Sequence, residues 1–281
     1  MTSQPSSDDL TDLLARIERY YDAAPRPNAR TLDVGPFTLF VNERPGGWPH
    51  YARPRLGLAA EPTAVDVDAV RARQRELGVP EALEWVHQTT PALLGAARAT
   101  GLQVHEHPLL VLGDDVPPAS VPAGVAVRVL AADDPALPAT QAAIHLGFGE
   151  PGTDVGSAGP AERDAAAGGS HDMVRAGITA GTQVVVAALD ESGPVAGGSH
   201  NPRRTADGLA TELAGIATLP SARRRGLGAA VTAALVADAR ARGVDLVLLS
   251  ASDDDVARIY EKVGFRRVGT ACVAELPDTP S

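Results

Sequence analysis

Residues 219–229 read LPSARRRGLGA, and this stretch decides how the chain is interpreted. A strand is predicted before it, over Thr211 to Leu219, and a long helix after it, over Ala229 to Arg242. A helix N-terminus leaves backbone N–H groups free and carries partial positive charge, so such a junction suits a phosphate or pyrophosphate. Gly226 and Gly228 lack a Cβ, which lets a phosphate approach the backbone, and Arg223–Arg225 add fixed positive charge. The stretch therefore predicts an anion site; the alternative is a basic helix cap on a solvated surface.

Two better-known phosphate motifs do not fit this loop. The spacing is not the GxGxxG of dinucleotide folds, and the lysine and hydroxyl of a GxxxxGK[ST] loop are missing. The kind of phosphate ligand is thus left open by the loop alone.

Two motifs together resemble a known family. Arg223-x-x-Gly226-x-Gly228 matches [QR]-x-x-G-x-[GA], and Tyr260-Glu261-Lys262-Val263-Gly264-Phe265 is similar to a Y-E-K-x-G-F signature. Both are typical of the GNAT superfamily of N-acetyltransferases, and the order of predicted elements from about Val125 to Leu276 agrees with it. The resemblance implies an α/β GNAT fold, with a mixed, mostly antiparallel sheet flanked by helices.

The resemblance implies acyl-coenzyme A binding, with acetyl-coenzyme A as the acyl donor and no metal. The pyrophosphate would be held by the backbone of the loop, which consists of Arg223, Arg224, Arg225, Gly226, Leu227, Gly228 and Ala229. The end of the preceding strand (Ile216, Ala217 and Thr218) would pair with the pantetheine arm. A strand N–H near Ile216 or Ala217 would polarise the acyl carbonyl. Asp253 stands where family members often carry Asn, and it is included among the cofactor contacts.

Glu212 is the candidate base. The reaction would be direct attack of an amine on the thioester, and an amine with a pKa near ~10.4 is mostly protonated at neutral pH, so a base is useful. Glu212 lies eleven residues before Arg223, the spacing of a catalytic glutamate in one branch of the family. Strand alternation predicts that it shares a face with Ala214, Ile216 and Thr218. The alternative is a glutamate that faces water.

Tyr260 is the candidate acid, the counterpart of the tyrosine that many members use to protonate the leaving thiolate. With a phenol pKa of ~10 against ~8.5 for a thiol, full proton transfer would be uphill by about 2 kcal/mol. Tyr260 would therefore stabilise the thiolate by hydrogen bonding. The alternative is a half-buried packing tyrosine.

Weaker candidates lie around the predicted acceptor side. Glu150, Asp154 and Glu162 occur in a Gly/Pro-rich stretch, residues 147–169, that we expect to be a mobile loop leading into a helix ending at Ala176. Carboxylates there would suit a cationic amine, or they are solvated loop charges. His200 is expected either to line the acceptor side or to be a plain edge residue.

The length of 281 residues suggests about two domains. The Pro-rich stretch 114–122 is the expected linker, giving an N-terminal α/β domain over residues 1–117 and the GNAT domain over residues 118–281. In the N-terminal part we expect a helix near Leu10–Tyr21, a strand at Phe37–Val41 and a turn at Gly46-Gly47. A helix–strand–helix–strand order from Asp66 to Leu112 fits either a degenerate GNAT-like domain without a cofactor loop or another mixed α/β domain.

Composition narrows the function classes. The net charge of −10 and the 4% aromatic content argue against nucleic-acid binding, and no apolar run is long enough for a membrane span. With Cys272 as the only cysteine and no signal-like start, we expect a cytoplasmic protein. The acceptor would be a small-molecule or protein amine, and an oligomer is compatible with the sequence. A non-catalytic acyl-coenzyme A sensor, or a loop for an unrelated phosphate ligand, are the alternatives.

Overall fold

The computed structural model describes residues 7–42, 51–118 and 120–277. Helices and strands are interspersed along these residues. The helices are α1 Ser7–Ala23, α2 Ala64–Glu76, α3 Ala92–Ala99, α4 Leu137–Gly149, α5 Pro160–Ala166, α6 Asp172–Thr179, α7 Leu227–Ala241 and α8 Asp254–Glu261. The strands are β1 Ala29–Val34, β2 Phe37–Asn42, β3 Ala52–Pro54, β4 Leu83–Val86, β5 Gln103–Leu112, β6 Ala126–Val129, β7 Val184–Asp190, β8 Gly193–Thr205, β9 Gly208–Thr218, β10 Leu246–Ser250 and β11 Phe265–Glu275. Short 3-10 turns occur at Arg26–Asn28 and Pro220–Ala222.

The chain divides into two compact units. The N-terminal unit contains the described residues up to Leu109, Thr205–Asp207 and the residues from Val268 onward; the C-terminal unit contains Leu110–Arg204 and Gly208–Arg267. The last part of β11 thus belongs to the N-terminal unit. The domain boundary between residues 117 and 118 stays a prediction, and the described part of the stretch 114–122 has no helix or strand.

The N-terminal unit is built on a sheet in the order β1-β2-β3-β4-β11-β5. β11 pairs antiparallel with β4, with Cys272 opposite Trp85. The core around them is apolar because α2 and α3 present Val67, Val70 and Leu93, all fully buried, to the same cluster as Trp85 and Cys272. Burial of such apolar side chains stabilises the unit, because removing apolar surface from water is favourable.

The C-terminal unit is built on a sheet in the order β5-β10-β9-β8-β7-β6, in which β9 and β10 are parallel and β6, β7 and β8 are antiparallel. Two adjacent glycines of β8 let helices approach both faces. A Cβ on Gly197 would lie 2.6 Å from Thr140 Cγ2 of α4, and one on Gly198 would lie 3.2 Å from Leu235 Cδ1 of α7. The absence of a Cβ therefore sets how closely α4 and α7 pack on opposite faces.

Most predicted elements are confirmed, and the differences have local causes. The helix at Leu10–Tyr21, the strand at Phe37–Val41 and the four elements between Asp66 and Leu112 are all present. The stretch 147–169 is not one long loop, because Pro160 and the Glu162 carboxylate, which accepts a bond from the Gly159 amide at 2.8 Å, begin α5 within it. The following helix, α6, continues past Ala176 to Thr179. The expected turn at Gly46-Gly47 lies outside the described residues.

Candidate functional site

The loop between β9 and α7 has an unusual backbone. Gly226 is the N-cap of α7 with φ 78°, and Arg224 also has a positive φ, 65°. A non-glycine residue adopts this left-handed conformation only at a local energetic cost, so the surrounding structure must hold Arg224 in place. Left-handed residues within a turn direct successive N–H groups toward one side, which is how backbone anion sites are formed.

Several backbone N–H groups of this loop have no acceptor among the described residues, so they can bind a ligand. The first hydrogen bond of α7 runs from the Ala230 amide to the Gly226 carbonyl at 3.1 Å, so the amides of residues 227–229 precede the helical ladder. Among the described residues, no acceptor bonds the amides of residues 224–229. The two glycines also face open space among the described residues: a Cβ on Gly228 would have no atom within 4 Å, and one on Gly226 would meet only Pro122 Cγ at 3.9 Å.

The three arginines of the loop have different surroundings. The Arg223 side chain is buried, 9% exposed, and it donates to the backbone carbonyls of Gly147 (2.8 Å), Asp154 (3.1 Å) and Glu150. Arg225 forms an ion pair with Asp190 at 2.8 Å. Arg224 is exposed and has no ion-pair partner in the described part of the chain. Arg224 is therefore the side chain of the three that is best placed to meet a solution anion.

β9 and β10 separate before either strand ends. Their paired register runs from Ala210 and Leu246 to Glu212 and Leu248, although β9 continues to Thr218 and β10 to Ser250. Beyond Glu212, the edge of β9 that faces β10 has no strand partner within the described residues. An extended chain can add to such an edge by main-chain hydrogen bonds.

Gly215 corrects the predicted orientation of the β9 side chains. Its φ of 63° departs from extended geometry within β9, and the alternation of side chains shifts by one residue beyond it. Leu213 belongs to the core cluster with Val231 and Leu235 of α7, and Ile216 packs against that same cluster. Ile216 therefore does not share a face with Glu212, as strict alternation predicted. A glycine inside the predicted strand was the signal that could have indicated this bulge.

The α4 helix closes on the end of β9 from the other face. A Cβ on Gly147 would lie 2.8 Å from the Ala217 Cβ and 2.9 Å from the Thr218 carbonyl oxygen. Glu212 is half-buried and points away from Thr211 and Leu213, which are buried toward α7. Glu212 and Ala217 therefore belong to the α4 face of the strand.

Tyr260 lies at the end of α8, 9% exposed, with its ring edge-on to Phe265 at 6.2 Å between centroids. Burial raises the pKa of its phenol to about 12. Its hydroxyl has no hydrogen-bond partner among the described residues. Proton transfer from this phenol to a thiolate would be uphill by about 5 kcal/mol, so Tyr260 is suited to donate a hydrogen bond rather than to give up its proton.

A family model for FR47-like proteins matches residues 204–274. A GCN5-related N-acetyltransferase from Kribbella flavida has 24% identity and a TM-score of 0.69, covering 95% of this chain and 96% of that one. The chain has the GNAT fold. The resemblance stated from the two motifs is thereby confirmed.

Further structures agree with the GNAT fold over the full length. A GCN5-related N-acetyltransferase from Sphaerobacter thermophilus has 16% identity and a TM-score of 0.55, covering 97% of this chain and 95% of that one. A GCN5-related N-acetyltransferase-like protein from Streptococcus suis has 12% identity and a TM-score of 0.52, covering 95% and 100%. A comparison with curated proteins gives no match. In the described residues, no helix is long and apolar enough to cross a membrane, and no group of three metal-ligating side chains occurs.

Two of the carboxylates considered as ligands cap helices of this GNAT fold. The Asp253 carboxylate accepts a bond from the Val256 amide at 2.8 Å, and this bond is the main reason that the pKa of Asp253 is lowered. Glu162 acts in the opposite sense, because it lies in the first turn of α5 and accepts from the amide of the N-cap residue Gly159, a bond that lowers the pKa of Glu162. A cofactor contact by Asp253 stays a prediction, while its capping of α8 is a property of the fold.

His200 is neither an edge residue nor part of a cleft. It is fully buried, with Nε2 2.9 Å from Asp238 Oδ2 and Nδ1 3.0 Å from Thr211 Oγ1. A carboxylate only accepts, so Nε2 donates to Asp238 and Nδ1 accepts from the Thr211 hydroxyl. Burial lowers the pKa of His200, outweighing the opposing effect of Asp238. This neutral imidazole connects β8, β9 and α7.

Proposed function

We propose that this chain is an acyl-coenzyme A-dependent N-acyltransferase that transfers an acetyl group to an amine by direct attack. The observation that carries the proposal is the run of backbone amides at residues 224–229 without an acceptor among the described residues, at the N-terminus of a long helix. Backbone N–H groups and the helix dipole together favour a diphosphate there. The exposed Arg224 adds a positive charge on the same loop.

The strand end beside the loop supports the same assignment. When bound, acetyl-coenzyme A would supply a thioester: an N–C bond forms, the C–S bond breaks, the amine loses a proton, and the sulfur leaves as a thiolate that is protonated from solvent. The unpaired edge of β9 after Glu212 would hold the extended arm, and a strand N–H near Ile216 or Ala217 would bond the acyl oxygen. Glu212 would accept the amine's proton through a water, and Tyr260 would donate a hydrogen bond to the sulfur.

The acceptor is an amine, a small molecule or a protein side chain. Glu150 and Asp154 lie in the segment whose backbone bonds Arg223, and their carboxylates would suit a cationic acceptor. The negative net charge also favours a cationic acceptor, although it acts over the whole molecule rather than at the site.

Two measurements test the function. Calorimetry with acetyl-coenzyme A is expected to give saturable binding, and much weaker binding of acetyl-pantetheine, which lacks the diphosphate, would locate the affinity at the phosphate end. A panel of amines is then incubated with acetyl-coenzyme A, and free thiol is measured. Binding without thiol release from any amine would favour the acyl-coenzyme A sensor, and absence of binding would leave the loop to another phosphate ligand.

A further inference from the structure

The Arg223 side chain joins the loop before α7 to the C-terminal end of α4 and the residues that follow it. We call residues 147–159 the wall segment. The guanidinium donates to three of its carbonyls, those of Gly147, Glu150 and Asp154. No carboxylate of the described chain forms an ion pair with Arg223, so carbonyl dipoles alone surround this buried cation.

Two of those carbonyls lie at the C-terminal end of α4, which ends at Gly149. The last carbonyls of a helix lack intrahelical donors and carry partial negative charge, so a cation bonded to them caps the helix and interacts favourably with its dipole. The flat guanidinium has enough donors to serve several acceptors at once, which an ammonium on a flexible stem does with less geometric definition.

The backbone reinforces this connection. The Gly156 amide donates to the Pro220 carbonyl and the Ser221 amide donates to the Ala158 carbonyl, each at 3.0 Å. The wall segment is therefore joined to residues 220–223 by main-chain bonds as well as by Arg223. At its other end, Gly147 packs directly on Ala217 and Thr218 of β9.

We propose that Arg223 is a positioning residue for the acceptor side, and that its side chain is not a phosphate ligand. The inference rests on the proposed function, because it takes the acyl carbonyl to lie at Ile216–Ala217. Gly147 contacts that strand end, so the wall segment borders the space from which an amine reaches the carbonyl. The backbone of Arg223 thus begins the proposed phosphate-binding loop, and its side chain holds the wall segment in place.

Arg223→Lys and Arg223→Gln separate this role from the alternatives. Lysine keeps the positive charge but lacks the planar set of N–H donors of a guanidinium, and glutamine keeps a planar donor group without the charge. We expect both variants to change the Kd of acetyl-coenzyme A by no more than about threefold. We expect kcat/KM for the acceptor amine to fall by at least about tenfold. Hydrogen exchange at the Gly156 and Ser221 amides should become faster, while thermal melting shows that the protein is folded.

Arg224→Ala is the matched variant on the neighbouring residue. It should raise the Kd of acetyl-coenzyme A and leave exchange at Gly156 unchanged, which is the reverse pattern. The positioning role is overturned if hydrogen exchange in the wall segment is unaffected in both Arg223 variants. It is overturned equally if Arg223→Lys has the wild-type kcat/KM for the acceptor amine. It is also overturned if the Arg223 variants lose cofactor affinity as Arg224→Ala does.

The exchange measurement needs no ligand, so the two proposals can fail separately. If exchange at the Gly156 and Ser221 amides is faster in the Arg223 variants but the protein does not bind acetyl-coenzyme A, Arg223 does hold the wall segment and the proposed function is rejected. Normal exchange in a protein that binds and transfers would reject the connection alone.

Discussion

The Arg223, Arg224 and Arg225 side chains, which are neighbours in the loop before α7, have three different environments. In the structure, one is buried against carbonyls, one is exposed and one is paired with Asp190. The strand–loop–helix arrangement could be predicted from local pattern, and phosphate binding by the loop stays a prediction. The separate fates of the side chains could not, because they depend on residues about 35 to 75 positions away.

Gly226 provides a test of the loop at the level of one residue. Gly226→Ala places a methyl group beside the open amides and strains a φ of 78°, so we expect the Kd of acetyl-coenzyme A to rise by at least about tenfold. Gly243, just past the other end of α7, is the matched control because it has φ 71° and open space around it. Gly243→Ala should cost similar stability, about 1–2 kcal/mol, and leave the Kd unchanged. Equal affinities for both variants by calorimetry would contradict the loop assignment.

Tyr260→Phe separates catalysis from packing. The ring that packs on Phe265 remains, so we expect a similar melting temperature and cofactor Kd, but a kcat lower by about ten- to a hundredfold. Because burial raises the pKa of Tyr260 to about 12, the wild-type pH profile should show no ionisation from this phenol below about pH 10. Steady-state kinetics from pH 6 to 10 measure both effects. An unchanged kcat would remove the hydroxyl from the reaction.

Glu212→Gln tests the base. We expect its rate to fall chiefly below the pKa of the acceptor amine, where the substrate is protonated and a proton acceptor is needed. Glu191→Gln, at an exposed turn position, is the control for a lost carboxylate and should behave as wild type. A rate reduced equally at all pH values would instead indicate that Glu212 supports the structure of β9.

The spacing of hydrophobic residues predicts helices and strands well where the element is long and buries only one face. The exceptions are informative. The bulge at Gly215 and the helix α5 depend on a single glycine conformation and on a capping bond from the Gly159 amide to Glu162, neither of which changes the hydrophobic pattern. The predicted face of Ile216 was wrong for this reason, although the strand itself was correct.

The His200 network predicts how the three elements it joins respond to acid. The folded-state pKa of His200 is lowered, so the unfolded chain binds its proton first as the pH falls below about 6.5. Stability contributed by the neutral imidazole is complete above that pH and is lost below it, by up to about 1.4 kcal/mol per pH unit. Urea unfolding at pH 7.5, 6.5 and 5.5 should show a steeper loss for wild type than for His200→Gln. His145→Gln, at an exposed position, should keep the wild-type slope.

At the scale of the whole molecule, the N-terminal unit contains residues from both ends of the described chain. Two domains were expected in sequential order, but residues from Val268 onward belong to the N-terminal unit. The pairing of Cys272 with Trp85 is a contact between distant positions, and single-sequence pattern carries no direct signal for it. The general α/β architecture was nevertheless predicted correctly.

Truncation tests the part of β11 in that unit. A chain ending at Arg267 should lose the strand opposite β4 and expose Trp85, which is 1% exposed in the full chain. We expect red-shifted fluorescence and rapid proteolysis within α1–α3, measured with Trp48→Phe as background. A chain ending at Glu275 retains all of β11 and should resemble the full-length protein. Native Trp85 emission in the shorter chain would show that β11 is dispensable there.

The same pairing has a consequence for biosynthesis. β4 is completed at Val86, whereas its neighbour in the sheet ends at Glu275. At about 5–20 residues per second, a ribosome needs on the order of ten seconds or more to make the intervening polypeptide. During that interval the nascent first half has an exposed β-edge and an incomplete interior, which are the features that chaperones recognise.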